Sequence, residues 1–514
     1  MNLLSKYRTE IFAFIGITIL YFFLRLISLL SLPIFTDEAI YMRWAQIALQ
    51  DANWRFISLT DGKQPLFIWA SMITMRFVSN PLLAGRLVSV VSGFFTMLGL
   101  WFLALELFKN KKIAFLTTIL YIFYPFAQVL DRMALYDSMV GTFYVWSLYF
   151  SVLLVRKVRL DLAYTLGFLI GGGILNKSTN FFSIYLLPFT LLIFDWTKPK
   201  IISRIIKFGL LILIAVVIAQ IFYGILRLSP LFGMIEAKNA TFVFPFSEWI
   251  KDPFLHIASN AKGLSNWLMS YLGLGYIILI VASMFFLRKF TREKILLFLY
   301  FIVPFVTLSI FGRTIFPRFT FFMSLPLLCL AGLSLSSIMS NLSNKFFGKT
   351  KQGVYKLITN IIVFVIFVGY SGFISLQFAY DPINAAIPKA DSNQYVNNWT
   401  AGWGVKESIA FLEKQAQDKK IFVATEGTFG LMPASLELYL VQNKDITIKG
   451  YWPLEGQKLP EEVYEYAQKV PSYFIFYQPQ HVNIPLHYPL KLLFKVQEGN
   501  SNYFLRFYQV IKDD

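Results

Sequence analysis

Long apolar runs separated by short polar loops occupy most of the chain up to residue 376. A helix that crosses the hydrocarbon core of a bilayer needs about 20 predominantly apolar residues, so each run predicts one membrane-spanning helix. The run that starts at Ile11 is too long for the core of a signal peptide, which predicts a retained first helix. The pattern predicts eleven spans, near residues 11–32, 83–108, 112–130, 137–155, 161–175, 179–195, 204–226, 266–287, 295–311, 319–338 and 355–376.

Two of the loops between these spans are much longer than a simple connection requires. The first covers residues 33–82 and contains two amphipathic stretches, 37–50 and 65–78, which predict helices lying on the membrane surface. The second covers residues 227–265. Long loops without the composition of a linker are usually functional, so both are candidates for a site.

Composition and charge support a membrane protein and give its orientation. Charged residues make up only 15% of the chain, against about 25% in an average soluble domain. The net charge of +18 would suit a nucleic-acid partner, but residues 378–514 hold 13 Lys and Arg against 15 Asp and Glu, so the excess lies in the membrane part. There, alternate loops carry roughly 20 basic residues, which is typical of the cytoplasmic side. We therefore expect no nucleic-acid partner, a cytoplasmic N-terminus and an outer C-terminal segment.

The pattern changes after about Asn384, where short β-branched and aromatic runs alternate with helical segments. This alternation predicts a small α/β domain, and no Gly-x-Gly-x-x-Gly sequence opens it. The predicted fold class is a polytopic α-helical protein of the cytoplasmic (inner) membrane with a C-terminal extracytoplasmic α/β domain. Its membrane domain covers residues 1–380 and its α/β domain residues 381–514.

The outer loops contain the residues that could carry chemistry. Asp37 and Glu38 follow the first span directly, and two carboxylates beside a bilayer cost free energy unless they are paired or used. One interpretation is that Thr36 or Asp37 caps the surface helix and that Glu38 interacts favourably with the helix dipole. The other is a catalytic role, and the two are compatible. Lys63 precedes the second surface helix, where it could bind a phosphate or could snorkel to lipid headgroups.

Further charges occur at the predicted outer ends of spans: Arg86, Asp131, Arg132, Asp137, Lys177, Arg313 and Arg318. Structural ion pairs and interfacial anchoring are alternative interpretations of these residues. Together, however, cations and acids on one face suit an amphiphile with an anionic head. Cations can stabilise a departing phosphate, and one carboxylate can take the proton of an acceptor hydroxyl.

Several short motifs, taken in their order along the chain, resemble those of the GT-C glycosyltransferases, especially the protein O-mannosyltransferases and the lipid A aminoarabinose transferase. They are D-E, K-x-P-L, A-G-R-L, R-M-A-L-Y-D-S, L-N-K-S and P-R-F-x-x-x-x-L-P-L-L, and they end near residue 340. The resemblance implies that Asp37, paired with Glu38 in one motif, is the catalytic base. It also implies that Lys63 contacts the carrier phosphate and that Asp137 orients the site. Gln64 departs from the family pattern, which has proline there.

The predicted function is an inverting transfer of a sugar from a polyprenyl-phosphate donor to a hydroxyl of a lipid, glycan or protein acceptor at the outer membrane face. The substrate-binding residues are predicted to be Lys63, Arg86, Arg132, Lys177 and Arg318, and the catalytic ones Asp37, Glu38 and Asp137. No cofactor is implied, because the histidines (His256, His481 and His487) form no metal motif, although carboxylates could hold a divalent ion.

Two alternatives compete with this prediction. A transporter or lipid flippase would place ionisable residues near the bilayer midplane on broken helices. A non-catalytic scaffold that presents the α/β domain would leave the acids of the first loop unexplained.

Overall fold

The computed structural model describes residues 8–347, 353–454, 459–479, 484 and 488–512. The first described element is an apolar helix, followed by a long loop that contains one short strand and two helices. These elements are α1 (Arg8–Leu26), β1 (Ile34–Phe35), α2 (Thr36–Gln50) and α3 (Leu66–Thr74). Both helices predicted in the first loop are therefore present.

The rest of the membrane part consists of long apolar helices joined by short ones. They are α4 (Pro81–Phe108), α5 (Lys111–Ile122), α6 (Pro125–Leu130), α7 (Tyr136–Lys157), α8 (Leu160–Asn176), α9 (Phe182–Tyr185), α10 (Ile201–Gly224), α11 (Met234–Phe242), α12 (Phe246–Trp249), α13 (Ile257–Phe286), α14 (Thr291–Phe311), α15 (Phe321–Phe347) and α16 (Gly353–Tyr380). Seven of the described helices are long and apolar enough to cross a membrane: α4, α7, α10, α13, α14, α15 and α16. The chain is thus a multi-pass membrane protein.

Two of the predicted spans are broken by proline. The 112–130 run divides into α5 and α6 because Pro125 has no backbone N–H and disfavours a helical conformation in the residue before it; Tyr124 is extended, with φ −78° and ψ 115°. The 179–195 run divides into α9 and two 3-10 turns, the second of which contains Pro188 near its start. The predicted number of eleven spans is therefore not confirmed.

The C-terminal part forms the predicted α/β domain. Its elements are α17 (Lys389–Tyr395), β2 (Ala401–Gly402), α18 (Val405–Gln415), β3 (Ile421–Glu426), α19 (Leu431–Leu440), β4 (Ile446–Tyr451), α20 (Glu461–Lys469), β5 (Ser472–Phe476), β6 (Leu490–Gln497) and β7 (Phe504–Val510). The sheet order is β4-β3-β5-β7-β6, in which β3 runs parallel to β4 and β5 while β7 runs antiparallel to β5 and β6. Strands β3 and β5 are buried along their whole length, as expected for strands in the middle of a covered sheet.

This domain is attached to the first loop by main-chain and side-chain contacts. Strand β1 pairs antiparallel with β2, and the Thr36 N–H donates to the Thr400 carbonyl at 3.0 Å. Arg43 on α2 forms an ion pair with Glu437 on α19 at 2.9 Å. Helix α2, which was expected to lie on the membrane surface, is instead covered by α19, because its apolar side chains are buried against protein.

Candidate active site

The site begins at the first turn of α2, which contains Asp37 and Glu38. Phe35 precedes the helix in an extended conformation because it belongs to the β1–β2 pair. Its backbone N–H donates to Glu38 Oε2 at 3.0 Å, which satisfies one of the main-chain groups that a helix start leaves free. The capping role expected of Thr36 or Asp37 therefore falls to Glu38, and Asp37 has different partners.

Two cations from distant parts of the chain approach Asp37. Arg318 Nη1 lies 2.9 Å from Asp37 Oδ2, and Lys63 Nζ lies 3.9 Å from Oδ1. Lys63 also donates to the Tyr41 hydroxyl at 2.7 Å and lies 3.6 Å from Asp61 Oδ2. The Lys63 side chain remains 21% exposed, so it is accessible to a ligand.

These neighbours determine the protonation state of Asp37. Burial raises the pKa of its carboxyl, but the charges of Lys63 and Arg318 outweigh burial and hold the pKa well below its usual range. Asp37 is therefore ionised at neutral pH. Burial and the charge of Asp37 raise the pKa of Tyr41 well above its usual value, so the Tyr41 hydroxyl keeps its proton.

A second ion pair lies beside the first. Asp137 belongs to the first turn of α7, and Lys177 directly follows α8; their charged atoms are 2.8 Å apart. Gln64 of the first loop donates to Ser178 Oγ at 2.6 Å, which ties the loop to the end of α8. Burial lowers the pKa of Lys177, Asp137 opposes this, and Arg318 lowers the pKa further, which shows that the two pairs share one electrostatic environment.

Glu38 and Arg86 form a separate, fully buried pair. Arg86 Nη2 lies 2.8 Å from Glu38 Oε2, Arg86 Nε donates to Glu38 Oε1 at 2.9 Å, and both side chains are 0% exposed. Glu38 Oε1 also accepts from the Ala134 N–H at 2.7 Å. The remaining N–H groups of Arg86 donate to the carbonyls of Leu29, Leu32 and Pro33. All five donors of the guanidinium therefore have protein partners, and none is directed at a ligand.

Arg132 is likewise occupied by the protein. Its guanidinium donates to main-chain carbonyls at the C-terminal end of α1 and to that of Ala379 in α16, and the residue is 3% exposed. A cation at these carbonyls stabilises the end of a helix. The neighbouring Asp131 pairs with Arg25 at 3.1 Å in the interior. Of the charges in this turn, only Asp137 reaches the site.

The structure thus brings five of the eight predicted residues together. They are Asp37, Lys63, Asp137, Lys177 and Arg318. Glu38, Arg86 and Arg132 lie outside this cluster. Arg86 binds Glu38 and nearby main-chain carbonyls, and Arg132 binds the carbonyls at the end of α1. We propose that these three residues position the site; the catalytic and substrate-binding roles expected of them stay predictions.

The structure adds residues that the sequence interpretation did not include. Tyr41 follows Asp37 by one helical turn, and that spacing alone would have placed it on the same face of α2. Asp61 pairs with Lys63 and also with Lys238 of the second long loop, at 2.6 Å, so both long loops reach the site. The charge of Arg318 also acts on the carboxyl of Asp391, whose pKa it lowers, but nothing in the local sequence of Asp391 indicates this.

Among the described residues, no group of three or more His, Cys, Asp or Glu side chains is arranged to hold a metal ion. Two of the three histidines, His481 and His487, lie outside the described residues.

Comparison with known proteins gives one family match. Residues 62–223 match the family described as dolichyl-phosphate-mannose-protein mannosyltransferase. This segment contains Lys63, Asp137 and Lys177. A comparison with curated protein sequences finds no significant match.

The fold matches several solved glycosyltransferases at low sequence identity. ArnT from Cupriavidus metallidurans, bound to undecaprenyl phosphate, is 12% identical, with a TM-score of 0.58 over 98% of both chains. The chain has the GT-C glycosyltransferase fold. The archaeal oligosaccharyltransferase AglB from Archaeoglobus fulgidus is 11% identical, with a TM-score of 0.53 over 92% of this chain and 70% of AglB. The arabinofuranosyltransferase AftD from Mycobacteria is 13% identical, with a TM-score of 0.50 over 99% of this chain and 42% of AftD. The predicted resemblance and the predicted helical membrane fold with a C-terminal α/β domain are confirmed, and the predicted number of spans is not.

Proposed function

We propose that this chain is an inverting glycosyltransferase that moves a sugar from a polyprenyl-phosphate donor to an acceptor hydroxyl. The observation that carries the proposal is the Asp37 carboxylate held between Lys63 and Arg318, beside the Asp137–Lys177 pair. One base and several cations are what a reaction with a phosphate leaving group requires. The GT-C fold supports the same reaction class.

In the proposed reaction, Asp37 takes the proton of the acceptor hydroxyl while the hydroxyl oxygen attacks the anomeric carbon of the sugar. The bond between that carbon and the phosphate oxygen breaks, and the carrier phosphate leaves as an anion. Lys63 offsets the growing negative charge, and Arg318 and Lys177 add to the positive potential. The phosphate needs no proton in order to leave, so the second, acidic carboxyl of a glycosidase is not required. The proposal needs no cofactor.

The donor class is supported by two of the structural neighbours. The ArnT structure contains undecaprenyl phosphate, and the AglB structure contains a dolichol-phosphate and an inhibitory peptide. Both lipids are polyprenyl phosphates. The acceptor in the proposal is a hydroxyl of a lipid, a glycan or a protein.

The basic loops support an outer-face location of the proposed reaction at the cytoplasmic membrane. They belong to the side of the membrane opposite the first long loop, and basic loops face the cytoplasm. Two of these basic segments, residues 1–7 and 348–352, lie outside the described residues. A transporter or flippase is not favoured, because the Asp37 cluster lies at helix ends and in loops and the fold is that of glycosyltransferases.

The proposal is tested with Asp37→Asn, which removes the base and keeps the shape of the side chain. We expect loss of a general base to lower turnover about 10²- to 10⁴-fold while expression and binding of free undecaprenyl phosphate stay close to wild type. The measurement is release of undecaprenyl phosphate from a panel of undecaprenyl-phosphate hexoses and pentoses in membranes that contain native acceptors. Asp161→Asn, a 59% exposed carboxylate at the opposite end of α8, is the control. Full activity of Asp37→Asn would contradict the proposed role of Asp37 as the base.

A further inference from the structure

The short helix α17 (Lys389–Tyr395) brings a buried carboxylate to the membrane helices. It lies between the end of α16 and the strand β2, and its Asp391 is 0% exposed. The Tyr271 hydroxyl donates to Asp391 Oδ2 at 2.5 Å. The Tyr271 ring stacks face to face on Phe126 with the ring centroids 3.9 Å apart, so the hydroxyl that contacts Asp391 is held rigidly by α6 and α13.

Tyr395, one turn after Asp391, connects this helix to the Asp37 cluster. Its ring packs edge-on against Phe35 at a centroid distance of 5.0 Å, and the Arg318 guanidinium lies 6.0 Å from the centroid of the same Phe35 ring. The pKa of Asp391 is raised to about 7 because burial outweighs the Tyr271 hydrogen bond, the charge of Arg318 and the contact with the Tyr395 hydroxyl, all of which lower it. Asp391 and Tyr395 are therefore close to the cation that binds Asp37.

Several polar atoms in this region are buried without a hydrogen-bond partner among the described residues. They include Asp391 Oδ1, the Tyr395 hydroxyl and Arg318 Nε. Native proteins satisfy nearly all of their buried polar atoms, so unpaired atoms that lie close together indicate a ligand. The set contains a carboxyl oxygen that accepts, a guanidinium N–H that donates and a hydroxyl that does both. A ligand that satisfies all three must donate and accept at neighbouring positions, as the hydroxyl groups of a sugar do.

We propose that Asp391 and Tyr395 bind hydroxyl groups of the transferred sugar, so that the segment leading into the α/β domain forms part of the donor site. This inference rests on the proposed function. It divides the site into a phosphate part at Lys63 and a sugar part at α17, with Asp37 and Arg318 between them. The α17 residues then act in donor specificity and positioning, and the proton transfer remains with Asp37.

The test uses Asp391→Asn and Tyr395→Phe, each of which removes one hydrogen-bonding function with little change of shape. With the preferred undecaprenyl-phosphate sugar we expect KM to rise about tenfold to 100-fold, because one hydrogen bond to a buried group is lost. Binding of free undecaprenyl phosphate, which has no sugar, should not change. A panel of donors that each lack one sugar hydroxyl identifies the contact. On the donor that lacks the hydroxyl bound by the mutated residue, the variant should have the same KM as the wild-type protein.

The controls remove equally buried groups elsewhere. Tyr300→Phe deletes a hydroxyl of a tyrosine that is 1% exposed in α14, and Glu498→Gln neutralises a carboxyl that is 1% exposed in the α/β domain. Any one of four results would overturn the inference. KM could be unchanged in the α17 variants, or their losses could be equal on every donor. The variants could bind free undecaprenyl phosphate more weakly, or the control variants could show matching losses. A wild-type protein that releases undecaprenyl phosphate from none of the donors would instead overturn the proposed function.

Discussion

At the scale of single residues, the basicity of Asp37 depends on the charges around it. With Lys63 and Arg318 as its partners, Asp37 is a poor base, because their charges hold the pKa of its carboxyl well below the usual range. A donor phosphate bound to Lys63 would offset part of this positive charge and let the pKa rise toward its ordinary value. Asp37 would then accept a proton more readily when the donor is present, which couples donor binding to the attack of the acceptor.

Lys63→Ala should therefore lower kcat as well as weaken donor binding. The phosphate gains charge as the glycosidic bond breaks, so part of its interaction with Lys63 is stronger in the transition state than in the ground state. We expect a loss in kcat/KM of about 10²-fold or more, in the range seen when one electrostatic stabiliser is removed. Lys63→Arg should retain partial activity, because the charge survives and the geometry changes.

The pH profile of the same variants gives an independent measurement. Asp37 must be ionised in order to accept a proton, so its low pKa keeps wild-type kcat/KM constant on the acid side of neutrality. Loss of the Lys63 charge raises the pKa of Asp37, so Lys63→Ala should shift the acid limb to higher pH, while Lys63→Arg should not. Lys109→Ala, an exposed lysine at the far end of α4, is the control. If Lys63→Ala leaves kcat, KM and the pH profile unchanged, the phosphate binds at Arg318 or Lys177 instead.

At the scale of elements, the buried Glu38–Arg86 pair joins four parts of the chain. Arg86 belongs to α4, Glu38 to α2, and Ala134 to the turn before α7, and the guanidinium also holds the carbonyls at the end of the first span. This arrangement fixes the start of α2 and therefore the position of Asp37. It explains why an acidic pair follows the first span: one carboxylate anchors the helix, and the other faces the cations.

We predict that Arg86→Met lowers stability by about 3–5 kcal/mol, because it leaves a buried carboxylate without a counter-charge. The double variant Glu38→Gln/Arg86→Gln should recover part of this loss, since no unpaired charge remains. Thermal unfolding in detergent measures the effect, and activity should follow the amount of folded protein. An Arg86→Met protein that melts like wild type but is inactive would indicate direct contact with substrate.

At the scale of the whole molecule, the α/β domain is joined to the proposed catalytic loop. The β1–β2 pair, the α2–α19 contact and α17 all meet near Asp37. In the orientation proposed from the basic loops, this domain lies at the outer face of the cytoplasmic membrane. The division of the chain at residue 380 stays a prediction, although the last long helix does end at Tyr380.

The orientation predicts how introduced cysteines react. Asn502→Cys in the exposed part of the α/β domain should react with a membrane-impermeant maleimide in intact spheroplasts. Lys289→Cys, in an exposed basic loop between α13 and α14, should react only after lysis. The native Cys329 is buried and serves as the unreactive background. Labelling in the reverse order would contradict the proposed location of the reaction.

Features that depend on short stretches of chain could be predicted from the sequence alone. Apolar runs predicted the long helices, because burial in lipid requires a fixed length, and alternating patterns predicted the α/β domain. The motif order predicted Asp37 and Lys63 as partners in one site, and the structure places them together; their roles stay predictions. Two of the runs break at a proline. The break is a local effect, and the hydropathy pattern did not distinguish a broken run from a continuous span.

Which charges come into contact depends on the three-dimensional fold and could not be predicted from the sequence. Arg86, Arg132 and Arg318 are all arginines at predicted outer helix ends, yet one holds Glu38, one holds the end of α1 and one binds Asp37. An arginine's role depends on which acceptors surround it, and those come from segments far away in the sequence. Asp391 could not be predicted for the same reason. Its partner Tyr271 lies on a distant helix of the membrane part, and the polar segment around Asp391 does not indicate that contact.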